Sequence, residues 1–544
     1  MSNFIYLYEI LVDTQNHSAQ GLWQEVFEKR LDELEYNYER VKNRIRIWNE
    51  ASSPKKTPRK DVVYRDGIEV FKVSMPRSYE HPVIGFNFAR LYFFEGESYP
   101  AYQSSAELFK EHKMPDVLRQ LPLLDFLDNF ISCFNKESDL IRLLDNITWS
   151  SVSDSVLVEG VARQSNVKQM SDLQYSKAIL GMVRNNKAVR PANFELALID
   201  AFVADENKAR EVASTTSAVL EKEWGCKLSK KRISTSEQFE DWLNEPHEMQ
   251  RVGFFGLDGK KGIRPSQNAI EWMGVMEQAK VPYVLFSATR DVNPIYTRHG
   301  NAMHLLAKAG GQHYRTRPVS IPDFDEHWFI GLDLGIGAQY KGKCVVVTLT
   351  DASGAPVCYW RAIKDNDETL TEELLREAVS WIINQAEELA PDRKIVVIRD
   401  GLCPHHELMS TYKELLPAGR SLFIEYTKKG NPAIIEEGRQ PQPGTMAIPD
   451  GSSEAFLFTA RSPQNDMLTN TTRFRCRIND MKYTLEQVGE MLTALCFSPK
   501  LSFQPSSIPA PIYWADGIAS VSNTNLQFAG WRHLPNVTRD FRIS

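Results

Sequence analysis

The sequence predicts an α/β protein built on two successive sheets. Two patterns lead to that fold class, and the length of the chain indicates the number of structural units. Buried strands alternate with helices between residues 170 and 325, which is typical of a parallel, doubly wound sheet. Three strand-like runs, a long amphipathic helix and a further apolar strand follow from residue 326. The 544 residues are too many for one ordinary core, so we expect about three structural units.

The first 165 residues predict a mixed α/β region. Its opening residues, MSNFIYLYEILVD, have no basic flank and no small-residue cleavage site, so we expect a strand and not a targeting peptide. Residues 22–50 predict a helix, and the basic stretch ASSPKKTPRKD after them predicts a loop. Asp66 and Gly67 lie between two short strand-like runs and predict a hairpin turn.

The second region, residues 166–325, predicts a Rossmann-like domain. Its strands are FELALIDAFVA, RVGFFGLDG and VPYVLFSAT, and helical segments follow them. The glycine-rich fingerprints of nucleotide-binding loops follow none of these strands. A nucleotide cofactor is therefore not indicated.

Composition favours a soluble protein of the cytoplasm. Hydrophobic residues make up 42% of the chain and charged residues 25%, and no apolar run approaches the ~20 residues of a membrane span. The net charge of −6 argues against coating of nucleic acid by an overall field but permits a local basic channel. The seven cysteines never have a CxxC spacing, which favours a reducing compartment without disulfides or structural zinc.

The third region, residues 326–544, has the layout of a ribonuclease H-like fold. EHWFIGLDLGIG, KCVVVTLTD and PVCYWRAI predict three consecutive antiparallel strands, a helix follows, and KIVVIRDG predicts a parallel strand. Asp333 lies within the first strand, Asp400 ends the last one, and Asp516 lies on the apolar helix PIYWADGIA. Carboxylates brought together repel one another, and a divalent cation relieves that repulsion. Such a site supports metal-dependent attack of water on a phosphodiester.

A fourth acid is expected near the helix that lies between Asp333 and Asp400. The segment DETLTEELL offers Glu368, Glu372 and Glu373. For the two later glutamates the alternative is a structural role, because acids in a first helical turn complement the helix dipole. The cluster CPHHE after Asp400 predicts a helix start, since neighbouring residues of a helix point in different directions and make a poor metal site.

Six segments of the last ~210 residues together resemble the PIWI module of the Argonaute family, specifically its prokaryotic members. They are IGLDLG, VVIRDG, IEYTKKGN, PGTMAIPDG followed by EAFLFTAR, LTALCFSP, and PAPIYWADGIA. Upstream, VPYVLFSATRD and NAMHLLAKAGGQHYR resemble the MID domain that precedes PIWI. The resemblance implies a Rossmann-like MID domain over 166–325 and a ribonuclease H-like PIWI domain over 326–544.

The resemblance implies a guide oligonucleotide whose 5′ end is held by MID and a complementary target strand that PIWI cuts. Asp333, Asp400 and Asp516 fall on three members of the family's acidic tetrad, which binds Mg²⁺ or Mn²⁺. Glu368 best matches the mobile glutamate that completes the tetrad, although the register could instead select Glu372. Whether guide and target are RNA or DNA stays open. Basic segments are expected to line the channel: KKRIS, GKKGIRP, ATRDVNPIYTRHGN, HYRTRP and YTKKGN.

The expected pocket for the guide's 5′ end departs from the family pattern. Lys308, just before Ala309, Gly310 and Gly311, matches a lysine of that pocket, or is simply a cation at a helix C-terminus. Tyr283 stands near the position of the family's glutamine. The preceding helix offers Gln267, Asn268 and Glu271. A glutamate repels a phosphate, so we expect that the pocket either accepts a guide with a 5′ hydroxyl or binds the phosphate through other donors. Candidates for these donors are Arg290, Arg298 and His299.

The first 165 residues are too few for both the N and PAZ domains of a full Argonaute, so the usual pocket for the guide's 3′ end is expected to be missing. Shortened family members often have incomplete tetrads and act with an accessory protein. The leading hypothesis is a guide-directed endonuclease in prokaryotic defence, and the alternative is a non-cleaving sensor subunit that activates a partner effector. IGLDLGIG also resembles the phosphate-binding strand of sugar kinases and actin-like ATPases, but no second phosphate motif follows it.

Overall fold

The structure is a computed structural model, which describes most residues of the chain, including the two expected sheets. The described residues are 3–11, 22–41, 43–48, 54–56, 61–73, 81–94, 100, 122–136, 139–171, 175–258, 266–279, 281–289, 295–336, 342–365, 371–403, 409–428, 430–436, 440–459, 471–498, 503, 505–524 and 536–537. Among them, no helix is both long and apolar enough to cross a membrane.

The helices are α1 (Leu22–Glu33), α2 (Pro122–Asn135), α3 (Val167–Ser171), α4 (Tyr175–Val183), α5 (Glu206–Ala218), α6 (Ser236–Asn244), α7 (Gln267–Gln278), α8 (Ile295–Lys308), α9 (Glu372–Leu389), α10 (Met409–Leu415), α11 (Leu485–Phe497) and α12 (Ala510–Thr524). A π-helical turn covers Val219–Glu223 and a 3₁₀ turn covers Phe324–Glu326.

The strands are β1 (Asn3–Ile5), β2 (Leu7–Ile10), β3 (Asn37–Val41), β4 (Arg44–Trp48), β5 (Lys55–Lys56), β6 (Val62–Val73), β7 (Val83–Phe94), β8 (Ile141–Leu143), β9 (Ile147–Ser151), β10 (Val156–Glu159), β11 (Gln164–Asn166), β12 (Asn193–Ile199), β13 (Lys227–Ile233), β14 (Gln250–Leu257), β15 (Tyr283–Ser287), β16 (Arg315–Pro318), β17 (His327–Ile336), β18 (Gly342–Thr350), β19 (Pro356–Asp365), β20 (Lys394–Asp400), β21 (Ser421–Thr427), β22 (Ile434–Glu436), β23 (Thr445–Pro449), β24 (Glu454–Phe458), β25 (Thr472–Asn479) and β26 (Asn536–Val537).

The chain divides into two compact units that do not follow the sequence in order. The first unit combines residues 1–151 with 427–475, and the second combines 152–426 with 476–544. The Rossmann-like and ribonuclease H-like regions thus share the second unit, while a segment of about fifty residues from the third predicted region belongs to the first. The expected boundaries at 165 and 325 did not anticipate this exchange.

The first unit contains an antiparallel sheet with the strand order β3-β4-β6-β7-β2-β8, and β5 pairs with β6. Its main core is aromatic: the ring of Phe27 on α1 stacks on that of Phe134 on α2, with 4.3 Å between the ring centroids. Phe86 of β7 and Phe130 belong to the same core. In this unit β1 also pairs with β22, and β23 pairs with β9 and β24.

The helix predicted over residues 22–50 is too long. α1 ends at Glu33, and Glu35 has a positive φ of 55° that takes the chain out of the helix. The following residues form the hairpin of β3 and β4, in which Asn37 pairs with Trp48. Buried Ile45 and Ile47 alternate with less buried arginines in β4, and this period of two favours a strand over a helix.

The hairpin turn predicted at Asp66 and Gly67 is also wrong. Both residues lie inside β6, a 12-residue strand that pairs with β7 along its whole length. A Cβ atom on Gly67 would lie 2.3 Å from the carbonyl oxygen of Ile47. The glycine is therefore needed because β4 approaches closely, and no turn is made here.

The Rossmann-like prediction is confirmed in the second unit. β12 to β15 form a parallel sheet with the order β13-β12-β14-β15. Side chains from β12 and β14 pack with those of α6 and α7 in one core, which includes Phe255, Trp242 and Met273. The helices follow the strands as the sequence pattern predicts.

The ribonuclease H-like layout is confirmed as well. β17, β18 and β19 are antiparallel neighbours, β20 runs parallel to β17, and β21 runs parallel to β20. α9 shares a core with one face of this sheet, to which Leu332 and Ile382 belong. α12 packs on the opposite face, where Val346 and Trp514 are in one cluster.

Candidate active site

Asp333 and Asp400 lie side by side on neighbouring parallel strands. Leu332 of β17 is aligned with Arg399 of β20, so the next residue on each strand is one of the two aspartates. Cα atoms of neighbouring strands are about 5 Å apart, which puts the two carboxylates within reach of one ion. The strand order therefore brings together two residues that are 67 positions apart in the sequence.

Both aspartates point to the face of the sheet that α12 covers. Leu332 and Val397 belong to the core on the α9 face. Because side chains alternate along a strand, Asp333, next to Leu332, and Asp400, three positions after Val397, point to the other face. The two acids therefore lie next to each other on one face of the sheet, at the carboxyl end of β20.

The helix α12 lies directly against β17 on that face. A Cβ atom on Gly331 would lie 2.3 Å from the carbonyl carbon of Pro511, so only glycine permits this approach. The Thr348 hydroxyl of β18 donates to the Pro511 carbonyl oxygen over 2.8 Å. These contacts hold the start of α12 against Gly331, which is two positions before Asp333 on β17.

The carboxylate of Asp333 is in a setting that suits a cation. Its side chain is only 5% exposed, and its Oδ1 accepts a hydrogen bond from the Leu334 amide over 2.8 Å. A buried carboxylate beside a second carboxylate is unfavourable without positive charge nearby. Carboxylate oxygens are ligands that Mg²⁺ and Mn²⁺ prefer, so these two side chains fit such an ion.

The turn after Asp400 explains why the apolar strand ends in Arg-Asp-Gly. Gly401 has a positive φ of 78°, and its amide donates to the Tyr426 carbonyl oxygen over 2.7 Å. The Arg399 guanidinium donates to the carbonyl oxygens of Asp400 and Leu402 over 2.8 and 3.0 Å. The arginine and the glycine thus shape the turn that presents the aspartate.

Asp516 is on α12 but is exposed, while Trp514 and Ala515 beside it are buried. Burial raises the pKa of Tyr513 on the same helix, and the charge of Asp516 adds to this effect. In the part of the chain that the structure describes, no three His, Cys, Asp or Glu side chains form a group that could hold a metal ion. The structure therefore pairs Asp333 with Asp400 and leaves Asp516 apart from them.

Glu368, the predicted fourth acid, lies outside the described residues, as does the segment 404–408 with its two histidines. Glu372 and Glu373 occupy the first turn of α9, after Thr371, whose hydroxyl accepts from the Leu374 amide. Glu372 also accepts from the guanidinium of Arg376 over 2.9 Å. These contacts agree with the structural role considered for the two glutamates at a helix start.

Arg361 is a residue of this face that the sequence patterns did not single out. Asp333 is aligned with Val346 of β18, and Val346 with Arg361 of β19, so the three form a row across the sheet. The arginine is 1% exposed, and its guanidinium lies 5.9 Å from the ring centroid of Tyr359. A charged residue inside the apolar run PVCYWRAI was the available signal. Its position places a positive charge on the same face as the two acids.

Lys308 ends α8 and is 1% exposed. Gly310 has a positive φ of 74°, and the Gly311 amide donates to the Leu306 carbonyl oxygen over 2.8 Å. A Cβ on Gly311 would lie 2.8 Å from the carbonyl oxygen of Arg190, a backbone atom, so this position favours glycine. The two glycines thus end the helix immediately after a buried lysine.

The other residues considered for the guide's 5′ end lie in different surroundings. Gln267 and Asn268 are exposed in the first turn of α7, and Glu271 is exposed just after that turn, whereas Tyr283, the first residue of β15, is 1% exposed in the core. His299 is fully buried, with Nε2 3.0 Å from the Glu223 carboxylate. Burial would raise the pKa of Glu223, but hydrogen bonds from His299 and a backbone amide prevail and hold it below its usual value.

Several of the basic segments expected in a channel are paired with acids of the same unit. In KKRIS, Lys230 pairs with Glu221 over 2.6 Å, and Arg232 pairs with Asp200 over 2.7 Å. In HYRTRP, both arginines contact Glu159. These cations are less available to phosphates than the sequence indicated. GKKGIRP and Arg290 lie outside the described residues, whereas Arg298 is half-buried on α8.

Comparison with known proteins gives no match to a family model and no match among curated protein sequences. The structure, in contrast, is similar to solved structures of Argonaute and Piwi proteins. Drosophila Piwi has a TM-score of 0.67 at 11% identity, over 97% of this chain and 86% of that one.

Two prokaryotic structures are similar as well. Marinitoga piezophila Argonaute in complex with 5′ OH guide RNA has a TM-score of 0.62 at 10% identity, over 95% of this chain and 87% of that one. Clostridium butyricum Argonaute bound to a guide DNA and a 19-mer target DNA has a TM-score of 0.61 at 10% identity, over 98% and 97%. The chain therefore has the fold of the Argonaute and Piwi proteins, with a Rossmann-like MID domain followed by a ribonuclease H-like PIWI domain.

Proposed function

We propose that this chain binds a guide oligonucleotide and cleaves a complementary strand with the help of Mg²⁺ or Mn²⁺. The observation that carries the proposal is the pairing of Asp333 with Asp400 on one face of a ribonuclease H-like sheet. Carboxylates that would hold a divalent cation at this place support metal-dependent hydrolysis of a phosphodiester. A role in prokaryotic defence against invading nucleic acid belongs to the same proposal.

In the proposed reaction, Asp333 and Asp400 would hold the cation, and Asp516 and Glu368 are proposed to complete its ligands. A bound cation supplies charge for the phosphodiester and lowers the pKa of an attacking water. Asp333 is kept in place by the Leu334 amide and by burial under α12. Arg361, in the same row of the sheet, offsets part of the negative charge of the acids.

Guide and target are proposed from the known structures that share this fold. Their names describe a guide RNA with a 5′ hydroxyl in one case, and a guide DNA with a target DNA in another. We infer that base pairing selects the target here as well, while the protein holds the two backbones. The N-terminal region is proposed to lack a PAZ domain, so the 3′ end of the guide would be held less firmly.

The MID domain is proposed to hold the guide's 5′ end through Lys308, with Gln267, Asn268 and Tyr283 as the other expected residues. Replacing Lys308 by Gln should weaken binding of a 5′-phosphorylated guide by about tenfold, because a charge-assisted hydrogen bond is lost. Binding of a 5′-hydroxyl guide should change less. Filter binding with both guides measures this, and Lys227→Gln, at an exposed strand end, is the control. Equal losses for both guides would count against the assignment.

Cleavage is tested with a labelled target, Mg²⁺ or Mn²⁺, and all four combinations of RNA and DNA guide and target. Asp333→Asn and Asp400→Asn should each lower the cleavage rate at least 100-fold while guide and target still bind. Asp392→Asn is a matched control, because Asp392 is exposed just before the other end of β20 and has a positive φ of 65° that asparagine tolerates. A wild-type rate in Asp400→Asn would rule out the proposed site.

A second function is favoured by the position of Asp516. This acid is exposed and does not join the other two in the described structure. A chain that binds guide and target without cutting would act as a sensor subunit for an accessory effector protein. Tight guide-dependent target binding, with no cut in any of the four combinations, is the result that would favour this function.

A further inference from the structure

A buried charged network lies behind Asp400, on the opposite face of the sheet. Arg399 and Glu425 are aligned neighbours on β20 and β21, and their exposed fractions are 3% and 1%. Val397 and Phe423 precede them by two positions and belong to the core beneath α9. Because residues two positions apart on a strand share a face, Arg399 and Glu425 also lie on the α9 face. Neither side chain therefore lies on the face that carries the two aspartates.

This network holds the turn after Asp400 through its backbone. The Cys403 amide donates to Oε1 of Glu425 over 3.0 Å. The Arg477 guanidinium donates to the same oxygen over 3.2 Å, and so keeps the glutamate oriented. Arg399 also donates to the carbonyl oxygens of Asp400 and Leu402. The backbone from Asp400 to Cys403 is therefore held by side chains on the α9 face of the sheet.

Fold stability alone does not account for this arrangement. Burying charges is expensive, and an apolar pair of similar size is often as stable at such a position. β20 and β21 already have their parallel backbone pairing and an apolar core on this face. Arg399 and Glu425 each add directional bonds to the backbone of the turn, and an ion ligand needs such bonds in order to keep one orientation.

We propose that Arg399 and Glu425 are positioning residues, which fix the Asp400 carboxylate for cation binding from the opposite face of the sheet. This inference rests on the proposed function, since it assigns the network to the same site. It predicts that damage to the network weakens cation binding without any change in the three aspartates. Neither residue touches the cation or the nucleic acid, so their effect passes through the backbone of the turn.

The test uses Glu425→Gln, which keeps one acceptor oxygen but removes the charge. It also uses Arg399→Lys, which keeps the charge but replaces the rigid guanidinium, one nitrogen of which donates to both carbonyl oxygens, by a shorter and more flexible side chain. Mn²⁺ binding to the full chain is followed by electron paramagnetic resonance, with Asp400→Ala as the reference for a lost ligand. Each variant should weaken Mn²⁺ binding by about 10–100-fold, the usual effect of losing a partner that orients a metal ligand. Hydrogen exchange in the peptide that contains Cys403 should become at least tenfold faster.

Glu454→Gln is the matched control. Glu454 is also 1% exposed and is bound by two arginines, Arg473 and Arg475, but it belongs to the first unit. This variant should be destabilised to a similar extent, as judged by its melting temperature, and should keep wild-type Mn²⁺ binding. Unchanged Mn²⁺ binding in both network variants, with similar destabilisation, would overturn the inference and leave the network a purely structural one.

The two proposals fail separately. If wild type binds Mn²⁺ but cuts no target, and Glu425→Gln weakens the binding, the positioning role stands and the endonuclease does not. If wild type binds no Mn²⁺, the positioning role is overturned, because Asp400 then has no cation to hold. If wild type cuts and Glu425→Gln cuts at the same rate with the same Mn²⁺ requirement, only the positioning role falls.

Discussion

Gly331 decides how closely α12 can approach the strand that carries Asp333. The carbonyl carbon and oxygen of Pro511 both lie 2.3 Å from where a Cβ atom would stand at this position. These are backbone atoms at the start of a helix, so they cannot swing away as a flexible side chain would. One missing side chain therefore sets the geometry of the face on which the acids lie.

Replacing Gly331 by Ala should destabilise the protein by about 1–3 kcal/mol, as overpacking of a tight interior contact usually does. The displaced helix should also lower the cleavage rate. Chemical unfolding measures the first effect. Gly517→Ala is the control on the same helix: its Cβ would meet nothing within 4 Å, and alanine should stabilise the helix by about 0.5–1 kcal/mol. Equal stability of Gly331→Ala and wild type would contradict the described packing.

Strand β17 starts with a buried histidine, His327, whose ring forms hydrogen bonds to two residues outside the strand. His327 is fully buried, with Nε2 2.8 Å from the Tyr483 hydroxyl and Nδ1 3.0 Å from the Asp323 carbonyl oxygen. Burial, followed by the positive charge of Lys394, lowers the pKa of His327 to about 4, although the charge of Asp323 opposes this. The native protein therefore holds this ring neutral well below the pH at which an unfolded histidine takes up a proton.

A lowered histidine pKa makes folding less favourable as the pH falls. Between pH 6.5 and 4 the unfolded chain binds a proton at this site and the native chain does not, so His327 by itself lowers the free energy of unfolding by about 2–3 kcal/mol on going from pH 7.5 to 4.5. His327→Gln should lose this part of the pH dependence. Unfolding by urea at the two pH values measures it, and His247→Gln, at an exposed histidine, should behave as wild type. An unchanged difference in His327→Gln would count against burial of the ring.

Elements with a clear period were predictable from the sequence, and those whose identity depends on distant partners were not. The strands around Asp333 and Asp400 and the helix between them lie as predicted, because apolar runs and amphipathic periods are local signals. The uninterrupted strand through Gly67 depends on its pairing with β4 and β7, which local propensity does not contain. The hairpin after Glu33 was missed although Ile45 and Ile47 give β4 a local period of two.

The candidate site follows the same rule. The sequence identified Asp333 and Asp400 as an acid within a strand and an acid at a strand end, and their side-by-side position followed from the ribonuclease H-like layout. Arg361 and Glu425 went unnoticed, since a charged residue in a strand gives no sign of the face it will occupy until the register is known. Glu368 lies outside the described residues, so its assignment stays a prediction.

At the scale of the whole molecule, the chain leaves the second unit after Tyr426 and returns at Cys476. The residues in between supply β22, β23 and β24 to the first unit. Sequence patterns assigned EAFLFTAR, which contains β24, to the PIWI region with all residues from 326 onward, because a local pattern does not tell which unit a strand joins. The order of segments along the chain, rather than their local pattern, carried the resemblance that led to the fold.

The most direct test of guide-directed cleavage is to map the cut with two guides that are offset by one nucleotide on the same target. We expect one cut at a fixed distance from the guide's 5′ end, a shift of the cut by one nucleotide with the second guide, and no cut with Asp400→Asn. A cut that stays in place when the guide moves, or that persists in Asp400→Asn, would contradict the proposed function.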